Sequence, residues 1–118
     1  SVNTTTGTRS YAATAYYDAQ ARNRKNLVIL SEALATKIVW DVDTNSSTPK
    51  AIGVQYIADN ITYTVAVTRE VIVSAGAIKS PQLLELSGIG NSTLLKGLGI
   101  PVTHDLPTVG ENMQDHAI

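Results

Sequence analysis

Gly76-Ala77-Ile78-Lys79-Ser80-Pro81-Gln82-Leu83-Leu84-Glu85-Leu86-Ser87-Gly88-Ile89-Gly90 reads as a turn, a short helix and a second turn. Ser80 is placed to cap the helix by accepting from backbone N–H groups left free in a first turn, and Pro81 suits the first helical position, where no N–H is needed. Gly88 closely follows the last apolar residue, Leu86, where a left-handed residue ends a helix. Just upstream, Val71-Ile72-Val73 is a β-branched run with the character of a strand buried on both faces. It leads into Ser74-Ala75-Gly76, whose small side chains let a ligand lie against the backbone.

Outward from this stretch the periodicity changes twice. Between Ser10 and Arg24 the residues Ala12, Ala15, Tyr16 and Ala19 recur at helical spacing, with Arg22, Arg24 and Lys25 in the last turn, so the pattern predicts one amphipathic helix. Asn26-Leu27-Val28-Ile29-Leu30 then carries a short apolar run that reads as a buried strand. From Leu34 to Trp40, Ile52 to Ile57 and Ile61 to Val67 the period is two, which predicts an antiparallel meander with a tight connection at Ala58-Asp59-Asn60. After Gly90, Asn91 caps a short helix through Lys96, and Gly97 to Pro101 stops it. Beyond Pro101 an extended segment is expected. The chain has no internal repeat or low-complexity tract, so a single domain over residues 1–118 is expected.

Composition removes several function classes. A net charge of -1 with 16% charged residues gives no basic field for nucleic acid. No apolar stretch approaches the roughly 20 residues of a membrane-spanning helix. Ser1-Val2-Asn3 is not the charged-then-apolar start of a signal peptide. With no cysteine in the chain, disulfides and thiolate metal sites are excluded. Compartment is argued from another feature: Asn3, Asn45, Asn60 and Asn91 each begin an Asn-x-Ser/Thr sequon, four of the seven asparagines. That frequency points to a secreted, extracellular glycoprotein, against the bland reading that Asn, Ser and Thr simply cluster in turns.

The fifteen-residue stretch resembles the second signature of the glucose-methanol-choline (GMC) oxidoreductases, matching it at Gly76, Ala77, Ser80, Pro81, Leu83, Leu84, Ser87, Gly88, Ile89 and Gly90. The strand order from Asn26 to Val54 and the segment from Leu106 to His116 are similar to that family too. The resemblance implies an α/β fold: this chain would be the central part of an FAD-binding dinucleotide-fold domain from which the meander hangs. It further implies FAD as cofactor and hydride transfer from an alcohol or sugar hydroxyl, with the remainder of the polypeptide as partner.

By that resemblance, Ala35 offers its backbone to the adenine ring and Ser74, Ala75 and Gly76 let the cofactor approach. Asn112 and His116, in the Gly110 to His116 segment, would help wall the flavin. Asn112 can donate and accept at once, and His116 beside Asp115 is a candidate proton carrier. No position matches the family's catalytic histidine pair, and no Gly-x-Gly-x-x-Gly turn is present, so no catalytic residue is nominated. A metal site built from His104-Asp105 and Asp115-His116 has no recognisable ligand spacing. The competing reading is a self-contained secreted glycoprotein or binding module without cofactor, which explains the sequons and the alternation but not the signature.

Overall fold

A computed structural model describes residues 2–41 and 48–116. The chain divides into two compact units, Ser1–Ser31 and Glu32–Ile118.

In the first unit, the helix expected from Ser10 to Arg24 is two short ones, α1 (Ala12–Tyr16) and α2 (Ala19–Arg22). The interruption has a local cause. The Asp18 carboxylate accepts the Ala21 N–H at 2.7 Å and caps a new helix, with Asp18 itself extended at ψ -176°. Arg22 then lies over the Tyr17 ring, 5.1 Å from its centroid. Leu27 to Leu30 forms no strand, and all four side chains are exposed, Val28 at 77%. Apolarity alone predicted a strand there, but no ladder partner for this run exists among the described residues.

The second unit is built on the meander, with β1 (Leu34–Asp41), β2 (Lys50–Ala58) and β3 (Ile61–Ala66) in the order β1-β2-β3. Both pairings are antiparallel, as the alternation predicted. The β1–β2 register shifts between Ala35 and Lys37 and again between Val39 and Trp40. Between β2 and β3, Tyr56 pairs with Tyr63 and the rings stack with centroids 5.4 Å apart.

Val71-Ile72-Val73 is also unpaired, with Ile72 77% exposed. The helix that follows, α3, spans Gly76–Leu86. It therefore starts before Ser80, which corrects the expected cap. Ser80 lies inside the helix and its hydroxyl accepts the N–H of Ala75, the residue flanking the helix start. Pro81 is interior too, so the Ala77 carbonyl loses its ordinary helical donor.

The carboxyl end of α3 follows expectation. Gly88 takes φ 87° and its N–H donates to the Glu85 carbonyl at 2.9 Å, a left-handed stop. Next come β4 (Ile89–Gly90), α4 (Ser92–Gly97) and β5 (His104–Asp105), with β4 and β5 parallel. Asn91 caps α4 as predicted, its Oδ1 accepting the Thr93 and Leu94 N–H groups at 3.0 and 3.2 Å.

Ile38 at 2% and Leu95 at 0% exposure are the buried apolar side chains among the described residues, joined by Ser87 at 1%. Ser87 fastens α3 to the meander. Its Oγ accepts the Ile38 N–H at 2.8 Å and donates to the Leu83 carbonyl at 2.5 Å. Its own carbonyl accepts the Trp40 indole N–H at 2.7 Å.

Candidate functional site

Helix α3 is the wall between two grooves, and Gln82 lines both. The first, about 450 Å³, runs between the start of β1 and α3; Ala33, Leu34, Ala35 and Thr36 form one side, and Ala75, Lys79, Leu83 and Leu86 the other. Consecutive strand residues ordinarily face opposite sides. Here Leu34, Ala35 and Thr36 all line the cleft, next to the irregular register that follows Ala35, the kind of strand irregularity common beside binding sites. Thr36 is held in place by its hydroxyl, which donates to the Gln55 carbonyl at 3.3 Å.

The cleft is mostly apolar, and three of its lining residues are alanines. Ala33, Ala35 and Ala75 leave room for a flat ring to lie near the backbone, and Lys79 is the charged residue on its lining. The Lys79 ammonium donates to Gln82 Oε1 at 2.8 Å, which links the two side chains at the cleft.

The second groove, about 730 Å³, lies between α3 and the carboxyl-terminal segment, with Ala77, Ile78, Pro81 and Glu85 facing Val109, Gly110, Glu111 and Met113. Glu85 and Glu111 make it acidic. A diphosphate is repelled there and is better served beside Lys79; hydroxyl donors and an uncharged ring suit the acidic groove.

The fold thus brings two of the expected site residues together, Ala35 and Ala75, across one cleft. Ser74 and Gly76 flank Ala75 on exposed backbone. Asn112 sits between two lining residues of the acidic groove with its backbone left-handed at φ 56°. His116 is fully exposed and its backbone N–H donates to the neighbouring Asp115 carboxylate at 2.8 Å. Among the described residues no group of three or more His, Asp or Glu is arranged to hold a metal. Asp105 has another task, accepting the Ser92 N–H at 2.9 Å. Sequence reading missed Lys79 and Gln82, although their spacing of three within a helix was a visible signal that they are neighbours.

The family model for GMC oxidoreductase matches residues 1–118. The chain belongs to the GMC oxidoreductase family. It is 48% identical over its whole length to a dehydrogenase of Armillaria gallica, and covers 18% of that protein. It is 49% identical over 110 residues, 93% of the chain and 18% of the relative, to an oxygen-dependent choline dehydrogenase of Pectobacterium carotovorum.

Among solved structures, an FAD-dependent oxidoreductase from Chaetomium thermophilum superposes with a TM-score of 0.76 at 39% identity, over 90% of this chain and 17% of that one. A fungal aryl-alcohol oxidase gives a TM-score of 0.74 at 36% identity, over 86% and 16% respectively. This GMC oxidoreductase chain therefore spans about 18% of the length of the curated relatives it matches. Its mixture of helices and antiparallel strands is the fold of the corresponding part of such enzymes.

Proposed function

We propose that this chain is the central part of the FAD-binding domain of a secreted flavin-dependent oxidoreductase that oxidises an alcohol or sugar hydroxyl. One observation carries the reading: Ala35 on β1 and Ala75 beside α3 line the same largely apolar cleft, together with Lys79. Such a cleft suits the adenosine diphosphate half of FAD, with apolar walls for the ring and an ammonium for the phosphates. Ala35 and Ala75 would admit the adenine, and Lys79, held by Gln82, would face the diphosphate. The segment around Asn112 would border the flavin half. FAD would supply the hydride acceptor; these residues would bind and orient it.

None of the groups in this chain is assigned the role of base. The family match and the choline dehydrogenase and aryl-alcohol oxidase among its relatives support an alcohol as the substrate class. A cofactor-free module is disfavoured physically, because Ile38 and Leu95, the buried apolar side chains among the described residues, are too few to sustain a domain alone. The test uses the full-length protein, purified and mixed anaerobically with primary alcohols and aldose sugars. Bleaching of a bound flavin by at least one of them is expected. A colourless full-length protein would overturn the reading.

A further inference from the structure

The fold treats the sequons differently. Asn45 lies outside the described residues. Asn91 is half-buried and its side-chain oxygen holds the first turn of α4. Asn3 is likewise engaged, its Oδ1 accepting the Thr5 and Thr6 N–H groups at 2.9 and 3.3 Å.

Asn60 stands apart. With Asp59 it forms the connection between β2 and β3, closed by the Ala58–Ile61 pair. Both residues are left-handed, at φ 51° and 61°, the geometry of a two-residue hairpin turn. Glycine is the usual second residue of that turn, and Asn is among the few others that tolerate the conformation. Asn60 and Thr62 are both exposed. The Asn60 side chain makes no hydrogen bond among the described residues, so the whole amide is uncommitted at the hairpin tip, whereas the Asn3 and Asn91 amides are held to the backbone through their oxygens.

We infer that Asn60 carries an N-linked glycan, an inference that rests on the secretory part of the proposed function. In the transfer, Asn60 Nδ2 bonds to the anomeric carbon of an oligosaccharide carried on a polyprenyl diphosphate. The carbon–oxygen bond to the diphosphate breaks, the polyprenyl diphosphate leaves, and the amide gives up a proton to a base of the transferase. The position also has a physical use. Strand β3 shows Ile61, Tyr63 and Val65 exposed, and its sequence, ITYTVA, holds none of the lysines or prolines that commonly guard a strand edge. A bulky, solubilising glycan beside Ile61 shields it.

The test expresses the full-length protein in a eukaryotic host and treats material from the medium with peptide N-glycosidase in heavy-oxygen water. Mass spectrometry of the peptides then reads each site. Labelled aspartate at position 60 is expected in most molecules, at higher occupancy than at position 91. Thr62→Ala should abolish it, whereas Thr62→Ser should keep it. Unlabelled Asn60 in secreted protein overturns the inference. If the protein stays in the cell under its own leader, the secretory reading fails separately, and a version driven by an added leader still reads Asn60.

Discussion

Ser87 accepts the Ile38 N–H and its carbonyl accepts the Trp40 indole, so two strand residues depend on the turn that ends α3. Ser87→Ala leaves the buried Ile38 N–H without its acceptor, which costs about 1–3 kcal/mol. In the full-length protein this should appear as a lower urea midpoint at unchanged slope. Gly88 is more constrained. A Cβ there would lie 2.5 Å from the Pro101 carbonyl oxygen and 2.6 Å from Thr103 Oγ1, whereas one at Gly99, also left-handed at φ 72°, meets nothing within 4 Å. Gly99→Ala should cost only the backbone strain, about 1–2 kcal/mol, while Gly88→Ala should sharply lower the soluble yield. Sequence alone placed the helix stop at Gly88. It did not reveal that Ile38 and Trp40 bond to Ser87 or that Pro101 crowds Gly88, because residue spacing reports neighbours along the chain and these partners come from distant elements.

At the scale of elements, the meander was legible because one-in-two alternation follows directly from strand geometry, and α4 because Asn91 is a strong cap. The start of α3 was not. Ser80-Pro81 resembles a helix entry, but the left-handed Gly76, at φ 88°, already turns the chain, and Ser80 serves the Ala75 N–H from within. The runs Leu27 to Leu30 and Val71 to Val73 have strand-like sequences but no ladder among the described residues, because a strand needs a partner as well as a suitable sequence. Of the candidate site, Ala35 and Ala75 were nominated through resemblance and line one cleft, whereas Lys79 and Leu83, which line it with them, come from an element distant in sequence from Ala35, so no spacing pattern announced them. Leu95, wholly buried on α4, and Leu98, 65% exposed just after it, provide a contrast. Leu95→Ala should destabilise the full-length protein by about 2–5 kcal/mol and Leu98→Ala by about 0.5 kcal/mol or less, as thermal melts would show.

For the whole molecule, the balance of buried and exposed apolar groups is decisive. Ile29, Leu30, Leu34, Ile72 and Ile78 are each more than half exposed, and the chain matches only about 18% of its relatives' length. The 118 residues produced alone should therefore melt without cooperativity and hold no flavin; a cooperative melt of a yellow preparation would show otherwise. On this reading the cleft between β1 and α3 receives FAD. The most direct measurement is the flavin-to-protein ratio of the full-length enzyme after exhaustive dialysis, compared among wild type, Ala35→Trp and Ala75→Trp, with circular dichroism confirming the fold. Filling the cleft should weaken flavin binding by about tenfold or more, a loss of roughly 1.4 kcal/mol, and leave dialysed variants largely colourless. Folded variants that keep the wild-type ratio and affinity would show that FAD is held elsewhere.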